Sequence, residues 1–87
     1  IILDQAGRYR VKAGTEIEDF NAAFATDFSD SEYDTVGGLL IRQLGRLPKR
    51  NEIVELAGLR FQVLRADSRR VYSLLVERLP EAEPVGG

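Results

Sequence analysis

The chain has 87 residues, with 12 basic and 14 acidic side chains and a formal net charge of −2. One small core fits that length, and at this size roughly 60–65% of the unfolded surface can be buried. The slight acidity gives no general attraction to nucleic acid or an anionic membrane, the lack of cysteine rules out disulfides and thiolate metal sites, and the lack of histidine excludes a histidine-based hydrolytic triad.

No apolar run approaches the ~20 residues that a bilayer span needs, and no signal peptide is visible. The chain opens in Ile1-Ile2-Leu3 without an initiator methionine, as expected of a segment of a longer protein. Without cysteine, a reducing compartment suits it.

Ile1 to Leu3 reads as a short strand, closed by a turn over 4–7 in which Gly7 supplies positive φ. Arg8-Tyr9-Arg10-Val11-Lys12 alternates: Tyr9 and Val11 face a core while three basic side chains face water, a pattern that suits an edge strand. Gly14 ends it. Thr15-Glu16-Ile17-Glu18 has the form of a capping box, with Thr15 as N-cap. Ile17, Phe20 and Phe24 are three and four residues apart, which predicts a helix over about 16–25 with one aromatic face. A polar connector follows, and its Phe28 is expected to plug the gap between two helices.

The second helix is the best marked. Thr35 is its N-cap; Val36, Leu39, Leu40, Leu44 and Leu47 form its apolar stripe; Gly45 and Pro48 stop it. Gly37 and Gly38 oppose it, each by about 1 kcal/mol relative to alanine. Keeping both implies a backbone approached closely there, by packing or by a ligand. Three strands then follow, over 52–57, 59–63 and 71–79, with Gly58 turning the first hairpin. Val71 is out of phase with Leu74 and Val76, so a β-bulge is expected near Tyr72-Ser73. The fold class is therefore α+β: an antiparallel sheet in the order β-β-α-α-β-β-β, with both helices on one face. Its core is expected from Ile17, Phe20, Phe24, Leu40, Leu44, Val54, Leu56, Phe61, Val63 and Val76.

Few residues suggest chemistry. Asp27, Asp30, Glu32 and Asp34 invite a calcium loop, but the EF-hand positions for glycine and the final glutamate hold Thr35 and Ile41. No metal site is expected. Gly37 and Gly38 are the candidates for cofactor contact, because helix N-termini bind anions. No phosphate-loop or dinucleotide motif accompanies them, and Glu32 and Asp34 would repel phosphate. The serines have no recognisable base. Arg60, Arg65, Arg69 and Arg70 make a basic patch, yet no RNP-like aromatic segment supports RNA binding.

Asp34-Thr35-Val36-Gly37-Gly38-Leu39, Leu44-Gly45-Arg46-Leu47-Pro48, Gly58-x-x-Phe61-x-Val63 and Asp67-x-Arg69-Arg70-Val71 resemble the CorC/HlyC transporter-associated domain. Val11-x-x-Gly14-Thr15-x-Ile17-x-Asp19-Phe20-Asn21 is similar to that family's first helix. Asn51 departs from the family's usual glycine, although asparagine also tolerates positive φ. The likeness runs from about Ile2 to Leu79, so the domain is expected over 1–79 with 80–87 as a flexible tail. It implies a non-catalytic accessory domain on the cytoplasmic side of the membrane, joined to CBS-pair and transmembrane domains of a magnesium and cobalt efflux or hemolysin-like protein. It also implies fold kinship with part of FAD-binding domains, which leaves a nucleotide or flavin sensor as the alternative. Kinship of fold does not confer a cofactor, and none is expected. Expected partners are the parent's other domains, with a homodimer possible, and neither nucleic acid nor membrane insertion. The docking face is expected on the uncovered side of the sheet, with Leu64 and Leu74 near its centre and Arg65 at its rim.

Overall fold

The computed structural model describes residues 1–3 and 7–80. The turn expected over 4–7 lies outside them except for Gly7, at φ 75°, as does the expected tail beyond Pro80. The elements are β1 (Ile2–Leu3), β2 (Arg8–Lys12), α1 (Ile17–Phe24), α2 (Val36–Leu44), β3 (Ile53–Leu56), β4 (Leu59–Ala66) and β5 (Val71–Arg78). The five strands form one antiparallel sheet in the order β1-β2-β5-β4-β3.

Helix α2 forms as its sequence dictates. Thr35 Oγ1 accepts from the Gly38 N–H at 3.2 Å, and Gly45 ends the helix at φ 73° with its N–H on the Ile41 carbonyl. Helix α1 begins differently from expectation. Its N-cap is Glu16, whose side chain makes no capping bond, so the capping box of Thr15 and Glu18 does not form. Backbone pairing takes its place: Glu16 and Thr35 form an antiparallel bridge in which Ile17 N–H donates to the Asp34 carbonyl and Val36 N–H to that of Thr15. Each helix N-terminus thus supplies the other with one acceptor, which takes up the first free N–H of each helix.

Ile17, Phe20 and Phe24 of α1 and Val36, Leu39 and Leu40 of α2 are buried against Val11, Phe61, Val63, Leu74 and Val76 of the sheet. Phe20 lies at the centre, stacked on Phe24 and Phe61 at 4.5 and 5.8 Å. Phe28 packs on Phe20 at 6.0 Å, and Asn21 fixes it by bonding both its backbone N–H and its carbonyl. Leu44 and Leu56, expected in the core, are only partly buried at its margin.

The expected bulge is present and has a counterpart. Val63 pairs with Leu74, Arg65 with Ser73 and Ala66 with Val71, so Leu64 on β4 and Tyr72 on β5 are both passed over. The Tyr72 bulge brings Val71, Leu74 and Val76 into one phase, all buried. This corrects the placement of Leu74, which is fully buried on the helix side and cannot contribute to an open face.

Candidate docking surface

The uncovered face of the sheet follows from the register. Rows containing Tyr9, Val76, Phe61 and Val54, or Val11, Leu74 and Val63, face the helices, so the rows between them face outward. One outward row runs Ile2, Arg10, Leu75, Gln62, Ile53 across all five strands. Ile2 and Ile53 are 68% and 53% exposed, and Leu75 between them is half-buried. The next row runs Arg8, Glu77, Arg60, Glu55, where Arg60 bridges Glu55 and Glu77 at 3.1 Å each. Both carboxylates hold the Arg60 guanidinium above its ordinary pKa. The outer face is thus an apolar stripe beside an ion-paired one. With β1, where Ile1, Ile2 and Leu3 are all exposed, it holds four of the six exposed large hydrophobic residues among those described.

Leu64 is half-buried in its bulge, and Arg65 is exposed with its guanidinium 5.1 Å from the Tyr72 ring centre. The structure therefore separates the three expected interface residues. The outward apolar residue of β5 is Leu75, which sequence reasoning missed because a one-residue change of phase exchanges it with Leu74.

Gly37 and Gly38 do not form an anion cradle. The Val36 N–H goes to the Thr15 carbonyl, that of Gly37 to the Ala13 carbonyl at 2.8 Å, and that of Gly38 to Thr35 Oγ1. The donors that phosphate would need are already used. Glu16, Glu18, Asp30 and Asp34 line an open hollow, while Glu32 pairs with Arg42 at 3.1 Å. Among the described residues no three carboxylates are grouped as metal ligands, and no helix is long and apolar enough to cross a membrane.

This fold and these motifs match known proteins. The family description "Transporter associated domain", CorC_HlyC, fits residues 4–80. The chain belongs to the CorC/HlyC transporter-associated domain family. A magnesium and cobalt efflux protein CorC of Vibrio cholerae is 55% identical over 75 residues, covering 86% of this chain but 25% of the relative. The chain thus spans about a quarter of such proteins. A Mg2+ and Co2+ transporter (CorC) associated region from Neisseria meningitidis superposes with a TM-score of 0.88 at 48% identity, covering 91% of this chain and 98% of that one. A CorC_HlyC domain of a Xylella fastidiosa hemolysin, solved in complex with Mg++ and Mn++, has a TM-score of 0.81 at 25% identity over 91% of this chain and 96% of its own. In this CorC/HlyC domain the outer sheet face and the β1 edge carry exposed apolar side chains.

Proposed function

We propose that this chain is a non-catalytic accessory domain of a magnesium and cobalt efflux membrane protein. It lies on the cytoplasmic side and regulates transport by packing against the parent's other domains. The observation that carries this reading is the 55% identity to an efflux protein of which the matched stretch is only 25%. The apolar stripe of Ile2, Leu75 and Ile53 supports it, because a sheet with one face covered by its own helices has the other free to pack on a partner. Leu64 and Arg65 flank this surface and belong to the same proposal.

The test uses the full-length parent. Leu75→Glu and Leu64→Glu are expected to leave the isolated domain folded, by circular dichroism, and to lower magnesium or cobalt efflux from loaded cells. Efflux equal to that of the unmodified parent in both variants would show that this face is not used. A thermal-shift screen with flavins and adenine nucleotides addresses the sensor alternative, since a ligand of the folded state raises its apparent stability.

A further inference from the structure

We propose that the loops over 47–50 and 66–70 form a docking surface for an acidic polypeptide segment that inserts an apolar side chain between them. The chain is slightly acidic overall, yet five of its 12 basic residues, Lys49, Arg50, Arg65, Arg69 and Arg70, gather on these loops and the adjoining end of β4. The two loops face each other across one hollow, lined from both sides. Just beyond the first of them, Asn51 N–H donates to the Val63 carbonyl at 2.8 Å and Val63 N–H to that of Glu52 at 2.9 Å, fixing that segment to β4.

Two of the cations, Arg65 and Arg70, are positioned over an aromatic ring. Among the described residues none of the five makes a close ion pair with a carboxylate, whereas Arg42, Arg46 and Arg60 each do. Asp67, the carboxylate beside them, is engaged locally. It accepts from Arg69 N–H at 2.7 Å, Arg70 N–H at 2.9 Å and Tyr72 O–H at 2.6 Å. The ring that Asp67 anchors lies under the Arg65 and Arg70 guanidinium groups, at 5.1 and 5.9 Å. Arginines oriented before binding lose less freedom on complex formation, and their planar forks match carboxylates in pairs.

The space between the loops selects the partner. It is a hollow of about 370 Å³ with Leu47, Pro48 and Ala66 as its apolar lining and Lys49 and Arg50 on one side. On the other is Asp67, whose carboxylate is already taken up by its own loop and Tyr72. An aliphatic side chain fits that lining, and a phosphodiester backbone has nothing to place there. A lipid headgroup layer presents no protruding apolar group either. Carboxylates around an apolar residue satisfy both the rim and the floor.

The inference concerns the 87-residue chain itself and does not depend on the transporter reading. A fluorescein-labelled peptide of Glu-Glu-Leu repeats is titrated with the chain and followed by anisotropy. A Gln-Gln-Leu peptide, phosphatidylserine vesicles and a single-stranded oligonucleotide are run beside it. The acidic peptide is expected to bind, the glutamine peptide not, and affinity to fall about five-fold or more between 50 and 300 mM salt as screening shortens. Arg69→Ala with Arg70→Ala should weaken binding about ten-fold, and Arg42→Ala should not change it. Both substituted side chains are exposed, so the fold should persist by circular dichroism. If it does not, Lys49→Gln with Arg50→Gln replaces that variant and carries the same expectation. Equal binding of both peptides, no binding at millimolar chain, or unchanged affinity in the folded loop variant overturns the proposal. So does tighter binding to vesicles or oligonucleotide, which would assign the surface to phosphate.

Discussion

The Gly37 N–H donates to the Ala13 carbonyl at 2.8 Å, and a Cβ on Gly37 would lie 3.1 Å from the Ala13 Cβ and 3.2 Å from that same oxygen. The end of β2 and the start of α2 thus approach at backbone distance. Through this contact, together with the Glu16–Thr35 bridge, the helix layer is fastened to the sheet.

Gly37→Ala should therefore destabilise the domain by about 1–3 kcal/mol, as overpacking against backbone does, despite alanine's better helix propensity. Gly38→Ala should cost less. Its added methyl meets the Tyr33 Cβ at 3.2 Å, on a connector that can shift, and helix propensity offsets the contact. Urea denaturation of both variants checks the order, and a Gly37→Ala protein as stable as the parent would refute the packing account.

Leu74→Ala should cost about 2–5 kcal/mol, the usual penalty for emptying a buried leucine site. Leu75→Ala, on the half-buried outer face, should cost well under half as much. Thermal melts of the pair test the phase that the Tyr72 bulge imposes.

Much of this architecture was legible in the residues. Thr35, Gly45 and Pro48 bound α2 through local chemistry that no tertiary contact overrides, and Phe20, Phe61 and Val63 follow clean periodicities. What could not be read depended on pairing between distant segments. The capping box at Thr15 has the right residue types, but the bridge to Thr35 supplies the acceptors instead. Leu74 lies on the helix side and not on the docking face because the bulge at Tyr72 resets the alternation of β5, and the matching bulge at Leu64 is visible only once β4 and β5 are in register. Gly37 and Gly38 announce a close approach, and only the fold shows that Ala13 makes it at Gly37 and Tyr33 at Gly38.

Two alanines occupy left-handed backbone, Ala25 at the end of α1 and Ala57 in the β3–β4 hairpin, both at φ 54°. That conformation costs a non-glycine residue about 1–2 kcal/mol. Ala57→Asn would create the Asn-Gly pair that two-residue hairpins favour, and Ala25→Gly the common helix terminator. Each should stabilise by about 0.5–1 kcal/mol, read as a rise in the denaturation midpoint with an unchanged m-value.

The carboxylates around Asp30 and Asp34 do not converge as ligands, so calorimetric titration with magnesium or calcium should show no micromolar binding. The Xylella domain, solved with Mg++ and Mn++, is the natural comparison. Micromolar heat that disappears in Asp30→Asn with Asp34→Asn would contradict this.

Glu52 gives the fold a defined acid response. Arg46 grips its carboxylate through both terminal guanidinium nitrogens, Nη1 and Nη2, and the Lys49 N–H donates to it at 2.9 Å. The Arg46 hydrogen bond, then that of Lys49, holds the Glu52 pKa at about 2, against an ordinary 4.5. The folded protein therefore takes up this proton less readily than the unfolded chain. Glu52's contribution to stability is complete above pH 4.5 and is lost as the pH falls through that value toward 2. The pair is open to solvent, so added salt should shrink the contribution. Replacing Glu52 with glutamine removes the titration: the parent should be the more stable at pH 6, and the difference should close between pH 4.5 and 2. Urea midpoints of the two proteins across that range measure it. A gap that stays constant down to pH 2 would mean that the Arg46 contact does not survive in solution.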